Sequence, residues 1–269
     1  MIADKQMPQK YRDLIDEEKS VFDKGASVET CKKLPATDAI PLVDRTAWVR
    51  VPGVICVYID MKDSTKLAVG GSATDTASAF QLFTGTAVRL LNSFDAPYID
   101  VRGDGAFALF DAGQEYRALA AAVTFKTFAH LVAIPAIEKR CAVKVGSHIG
   151  IDQKGVLVRR VGLKRTADRD DRQNEVWAGK PVNMAAKLAS MSEDNELFVS
   201  DRFYDKITDD KARNSCGCGT EDRKKVPLWS AVDVTRAGKF DFKTAYKLTS
   251  YWCKDHGKEF TDELLKLSE

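Results

Sequence analysis

The sequence predicts an α/β (α+β) sandwich in which helices pack against one mostly antiparallel sheet. Three observations point there: the elements read in the order β-α-β-β-α-β-β-α, residues 54–59 form a short apolar, β-branched run suited to a strand buried on both faces, and two long segments carry apolar stripes at helical spacing. In chain order, residues 11–24 alternate apolar and charged positions at roughly helical spacing, and 33–41, with two prolines, read as an irregular linker. Together they make an N-terminal helical extension and linker over 1–45. The strand at 54–59 ends on an acid, Asp60. A helix over 75–94 then aligns Ala79, Leu82, Phe83, Thr86, Leu90 and Leu91. Strands at 98–101 and 106–110 flank Arg102-Gly-Asp-Gly105, a hairpin with a carboxylate at its tip. A second helix is expected from about 114 to 138, and strands at 142–150 and 155–162 are expected around a turn that starts at Asp152. Residues 163–174 are dense in charge and read as an exposed arm, and Pro181 suits the first turn of a helix carrying Val182, Ala185, Ala186 and Leu188. Apolar runs at 197–199 and 226–234 and a charged stretch from Lys254 follow. The expected domain is 46–236, with a C-terminal extension over 237–269.

Composition narrows the function classes. The 269 residues are 44% hydrophobic and 30% charged, which excludes disorder throughout, and a net charge of +2 calls for neither nucleic acid nor an acidic membrane as partner. The first residues are too polar for a signal peptide, and no run of about 18 apolar residues is apparent, so the expected location is cytoplasmic and the expected membrane partner is none. Six cysteines are scattered along the chain and read as thiols.

The chemistry concentrates in carboxylates. Asp60 and Asp104 would lie side by side if their strands were neighbours, and such a pair binds hard divalent cations. Two-metal chemistry uses shared carboxylates in this way, one ion activating a nucleophilic oxygen while the other neutralises a polyphosphate. The other reading of the same residues is a turn residue and a cap.

Four motifs then resemble one family, the class III nucleotidyl cyclases. Val54-Ile-Cys-Val-Tyr-Ile-Asp-Met-Lys-Asp-Ser-Thr65 resembles its first metal-binding motif, and Arg102-Gly-Asp-Gly-Ala-Phe107 its second. Val145-Gly-Ser-His-Ile-Gly150 resembles its Gly-Ile-His-x-Gly strand, and Trp177-Ala-Gly-Lys-Pro-Val-Asn-Met-Ala-Ala-Lys-Leu188 its Gly-x-x-Val-Asn-x-Ala-x-Arg-Leu helix. The resemblance implies a ferredoxin-like βαββαβ core, a head-to-tail homodimer with composite sites, and two divalent cations, Mn or Mg. Asp60, Asp104 and the Met61 carbonyl would hold the metals, and Asp63, Ser64 and Thr65 would receive the terminal phosphates. Asn183 would orient the ribose, and Lys187 would stand where the family usually has Arg, keeping the charge and losing the bidentate fork. Lys164 and Arg165 on the charged arm are expected either to share that work or to be solvated surface cations.

Base selection in the family rests on two positions, occupied here by Asp100 and Val176. Adenylate cyclases usually have Lys at the first and guanylate cyclases Glu. An ionised Asp only accepts, and Val neither donates nor accepts through its side chain, so ATP fits poorly and one edge of guanine would be left unpaired. A permanent acceptor answers the single N3–H donor of uracil, with the exocyclic amine of cytosine as the alternative. Arg102, on the same strand face as Asp100, would donate to a pyrimidine carbonyl or pair with Asp100 itself. With these departures the chain resembles the pyrimidine cyclases of bacterial anti-phage Pycsar systems, through residues 174–188 and Cys216-Gly-Cys-Gly219. The implied activity is UTP to cyclic UMP, an alarm signal read by a separate effector protein. The alternatives are a cytidylate cyclase, a purine cyclase and a catalytically silent nucleotide sensor. Among other features, Cys216, Cys218, Cys253 and His256 offer four zinc-ligand types, but the Cys-x-Cys spacing is tighter than usual and they read as buried or exposed thiols, and His130 and His148 read as packed rather than catalytic.

Overall fold

The structure, a computed structural model, describes residues 6–163, 173–194 and 196–268. The chain divides into two compact units, the first formed by Met1–Pro52 and Val156–Ala178, the second by Gly53–Gly155 and Gly179–Glu269.

The first unit opens with α1 (Gln9–Lys24), which has no buried residue, as its mixed pattern of single apolar and charged positions requires. Then β1 (Ser27–Thr30) pairs in parallel with the start of β2 (Ala47–Lys62), and the 33–41 linker holds one 3₁₀ turn. Ile40, Val49, Val51, Val156, Val158 and Trp177 are buried here. Arg160 fastens the linker by donating its guanidinium Nε to the Ile40 carbonyl at 2.9 Å.

The second unit carries the sheet. After β2 come α2 (Thr65–Gly70), α3 (Ala73–Ser93), β3 (Tyr98–Arg102), β4 (Gly105–Phe110), α4 (Glu115–Phe128) and α5 (Ile134–Cys141). Next are β5 (Gly146–Gly162), whose end from Val156 falls in the first unit, β6 (Gln173–Gly179), which falls in the first unit up to Ala178, and then α6 (Lys180–Met191), β7 (Leu197–Ser200), α7 (Asp201–Tyr204) and α8 (Asp210–Arg213). The chain closes with β8 (Trp229–Asp233), β9 (Thr244–Leu248) and α9 (Gly257–Lys266). The strand order is β3-β4-β2-β5-β7-β9-β8, with β6 on β5. The β2/β4, β3/β4, β7/β9 and β8/β9 pairs are antiparallel and β5/β7 is parallel.

Strand alternation sets which side chains make the core. Ile55, Val57 and Ile59 on β2 and Ala106, Ala108 and Phe110 on β4 are paired partners and share one face, where Phe83 and Leu91 of α3 and Phe125 of α4 fill the space. Phe83 meets Phe125 edge to face at 5.0 Å.

Three expectations change in the structure. The turn expected from Asp152 does not form, because β5 runs unbroken for 17 residues. Asp152 is 0% exposed and is held by Arg202, whose Nε donates to it at 2.7 Å, so a turn-forming residue is satisfied inside a strand. Asn174, placed in the charged arm, belongs to β6. The third concerns length and apolarity: Glu115–Cys141 forms one 27-residue helical run, with a π turn at Ala129–Ala133, that is long and apolar enough to cross a membrane. Half of its most apolar stretch is buried within the chain, including Ala118–Val123 and Phe125, as befits a core helix.

Candidate active site

The acids are assembled by strand register. Ile59 pairs with Ala106, so the next residue, Asp60, stands against Gly105, one position from Asp104. The β3–β4 hairpin closes with Arg102 opposite Gly105 and only Gly103 and Asp104 between them, Gly103 at φ 63° supplying the left-handed backbone of the tight turn. Gly105 has a second duty: a Cβ there would lie 2.5 Å from Asp60 Oδ1 and 2.8 Å from the Ile59 carbonyl oxygen. Only glycine lets the Asp60 carboxylate occupy that place.

The same alternation that puts Ile59 in the core puts Asp60 on the opposite face. Phe107 is the cross-strand partner of both Tyr58 and Asp100 there, and Arg102, Gly105 and Asp60 form the next row. Asp60, expected to bind metal, and Asp100 and Arg102, expected to read the base, thus share one face of one sheet. Asp100 and Arg102 pair with each other at 2.6 Å, which answers which partner Arg102 takes in the free chain. Val176 lies on β6 in the other unit, 39% exposed.

Electrostatics single out the acid pair. Burial, then the charge of Asp104, push the Asp60 carboxyl up to about 6, against one opposing hydrogen bond from the Met61 N–H. The Tyr58 hydroxyl is likewise raised, by burial and then by the charges of Asp60 and Asp104. Among the described residues no cation offsets this repulsion at Asp60, and a pair of close, partly dehydrated carboxylates is the donor set a divalent cation neutralises. The residues present fit such an ion.

Beyond Asp60 the strand ends at Lys62, which is paired with Glu193 and lies 3.5 Å from Asp194. Asp63 takes a left-handed φ of 63°, binds Lys66 at 2.9 Å, and leads through Ser64 into α2, which begins at Thr65. Lys164 and Arg165 lie outside the described residues.

Helix α6 presents the remaining expected residues. Pro181, Met184, Ala185, Leu188 and Ala189 are buried, and the helix sits so close to β5 that a Cβ on Gly150 would come within 2.1 Å of the Ala185 carbonyl oxygen. This seating leaves Asn183 and Lys187, one turn apart, off the packed face. Asn183 donates to the Gly179 carbonyl at 3.3 Å and Lys187 to the Lys239 carbonyl at 2.8 Å.

A charged network around α6 escaped the sequence reading. Arg202 bridges buried Asp152 and Asp241, the latter at 3.0 Å, and Lys154 and Lys180 also donate to Asp241, at 2.8 and 2.9 Å. Partial burial raises the Asp241 carboxyl, but these three donors outweigh it and hold the group well below the usual range. Lys180 is the first residue of α6, so the network pins the start of the helix that carries Asn183 and Lys187. Asp152 next to an apolar strand was the available clue, and its partner lies fifty positions on.

Comparison with known proteins places this arrangement. No protein-family model matches the chain. A uridylate cyclase of Propioniciclava tarda is 36% identical over 231 residues, spanning 84% of this chain and 73% of that protein. A uridylate cyclase of Micromonospora echinofusca is 32% identical over 251 residues, spanning 91% and 77%. In fold, the chain is similar to the adenylyl cyclase CyaB from P. aeruginosa, with a TM-score of 0.58 at 15% identity over 76% of this chain and 96% of that one. It is similar also to the non-canonical dimeric guanylyl cyclase domain of the RhoGC fusion protein from the aquatic fungus Blastocladiella emersonii, with a TM-score of 0.55 at 16% identity over 74% and 97%.

Proposed function

Because the chain belongs to the class III nucleotidyl cyclases, with uridylate cyclases among its relatives, we propose that it converts UTP to 3′,5′-cyclic UMP and pyrophosphate. The observation that carries the reading is the pairing of Asp60 with Asp104 across β2 and the β3–β4 hairpin, in a chain more than 30% identical to two uridylate cyclases over most of its length.

In this reading Asp60, Asp104 and the Met61 carbonyl hold two divalent cations, Mg²⁺ or Mn²⁺. When bound, these supply charge neutralisation for the triphosphate and acidify the ribose 3′ hydroxyl. The 3′ oxygen attacks the α-phosphorus in line with departing pyrophosphate. The backbone at Asp63, Ser64 and Thr65 receives the terminal phosphates, with Lys164 and Arg165 as further cations. Asn183 orients the ribose, and the Lys187 ammonium, as a point charge, stabilises the negative charge that builds on the α-phosphate.

The base-reading group is Asp100. One of its oxygens is committed to Arg102 at 2.6 Å, which orients the carboxylate, and the other accepts the uracil N3–H. The Val176 side chain neither donates nor accepts, so it adds no polar base contact of its own. A second chain completes each site: Asn183 and Lys187 face away from their own packed helix surface, and in a head-to-tail homodimer they would meet the acids of the twin subunit. The product would act in the cytoplasm as an anti-phage alarm read by a separate effector.

Product analysis tests the activity. Purified protein with UTP and Mn²⁺ should release cyclic UMP and pyrophosphate in equal amounts, and Asp104→Ala should release neither while remaining dimeric. A dinucleotide product, or an Asp104→Ala chain as active as the parent, would remove the assignment.

A further inference from the structure

Outside the catalytic face, two segments distant in sequence bring four soft-metal ligands together. Cys216 and Cys218 come from the loop between α8 and β8, and Cys253 and His256 from the turn that leads into α9. One atom from each, the three sulfurs and the His256 Nδ1, all lie within 4.8 Å of one another. The Cys218 Sγ is 3.1 Å and the Cys253 Sγ 3.9 Å from Nδ1. A tetrahedral zinc ion with its usual bond lengths sets ligand atoms about 3.6–3.8 Å apart, so these separations bracket what one ion needs. We infer that Cys216, Cys218, Cys253 and His256 form a structural zinc site.

The backbone on both sides is shaped to hold this arrangement. Gly217, between the two loop cysteines, has φ 85°, and a Cβ there would lie 2.3 Å from the Arg223 carbonyl oxygen, so only glycine allows the sharp Cys-Gly-Cys knuckle. The loop folds back on itself, with the Thr220 N–H and hydroxyl donating to the Gly217 carbonyl at 3.1 and 2.9 Å, and the Ser215 N–H donating to the Val226 carbonyl at 2.9 Å. On the other limb the Gly257 N–H closes a turn onto the Cys253 carbonyl at 2.7 Å, which sets Cys253 and His256 on one side. Trp252 anchors that limb to α4 through its indole N–H on the Thr124 hydroxyl at 2.9 Å.

Three thiolates and an imidazole select a soft or borderline cation, unlike the carboxylates that suit Mg²⁺ and Mn²⁺. Four protein ligands leave no open position for a water nucleophile, so the ion joins the 214–228 loop to the C-terminal helix rather than performing chemistry. The site belongs to the second unit and draws no ligand from β2, β3 or β4.

Full-length protein made in zinc-supplemented cells and purified without chelator should contain about one zinc per chain by mass spectrometry. Replacing the zinc with Co²⁺ should give thiolate-to-cobalt charge-transfer bands and the intense visible absorption of a tetrahedral ion. Stripping the metal should lower the melting midpoint by about 5 °C or more, restored by Zn²⁺ and not by Mg²⁺. Cys218→Ser combined with His256→Ala should lose the ion, His256→Cys should retain it, and Asp104→Ala should keep it in full. Wild-type protein that holds no zinc and shows no tetrahedral Co²⁺ spectrum would overturn the inference, and so would zinc content unchanged in the double variant. Should the double variant fail to fold, the wild-type metal content and Co²⁺ spectrum decide alone.

Discussion

Asp60 is shaped by two forces acting in one direction: the sheet dehydrates its carboxyl and Asp104 repels its charge. The group therefore takes up a proton near pH 6 in the folded metal-free chain, against 3.8 ordinarily, so its ionisation opposes folding. The associated stability is fully present below about pH 4 and is lost as pH rises through about 6. A thermal-melting series in a metal chelator should show that decline, and it should flatten in Asp60→Asn. Divalent binding requires the ionised pair, so Mn²⁺ affinity, followed by titration calorimetry, should climb across the same interval and level off above it. At Gly105 the account is steric. Gly105→Ala drives a methyl group against Asp60 Oδ1, and because a displacement near 1 Å can cost about 10²-fold, turnover should fall by about that factor. In the proposed reading the Lys187 ammonium stands in for a guanidinium fork. Lys187→Ala should lower kcat by about 10²-fold or more with a smaller change in KM, the pattern of a contact strongest in the transition state.

At the scale of elements, α6 is positioned from beneath by Gly150 and at its start by the network of Asp152, Arg202 and Asp241. Gly150→Ala places a Cβ 2.1 Å from the Ala185 carbonyl oxygen, so the helix must lift; the expected loss is about 1–3 kcal/mol by denaturant melting, together with reduced turnover as Asn183 and Lys187 shift. Helix α4 is tied down differently. Lys126 is fully buried, its ammonium donates to the Thr249 and Ser250 carbonyls at 2.7 and 3.1 Å, and burial holds its pKa down to about 8. Much of this scale was legible in the sequence. The hairpin around Gly103 and Asp104, the stripe on α3 and the Pro181 start of α6 all depend on near neighbours in the chain, where spacing and turn chemistry speak directly. What stayed hidden depends on distant partners. Asp152 looked like a turn because Arg202, which satisfies it inside β5, is remote in sequence. Strand β9, with two lysine or tyrosine positions among five residues, gains its place only by pairing with β7 and β8. The facing of Asp60 and Asp104 is conditional in the sequence on their strands being neighbours, and the distant β2–β4 pairing meets that condition.

For the whole molecule, the surface that matters is the sheet face opposite α3 and α4, which carries Asp60, Asp100 and Arg102 but neither Asn183 nor Lys187. The proposed homodimer joins the two sets, and mixing tests it. Chains carrying Asp104→Ala and chains carrying Lys187→Ala should each be nearly inactive, and after subunit exchange the mixture should recover up to about a quarter of wild-type activity, since half the dimers are mixed and each rebuilds one of two sites. Recovery near zero despite exchange would place all the catalytic groups within one chain. In the proposed reading substrate choice rests on the Asp100 acceptor, and it is read out by competition. The purified protein, given UTP, CTP, ATP and GTP together with Mn²⁺, should form cyclic UMP at a rate well above the other three products. Faster cyclisation of CTP or of either purine nucleotide would contradict the account.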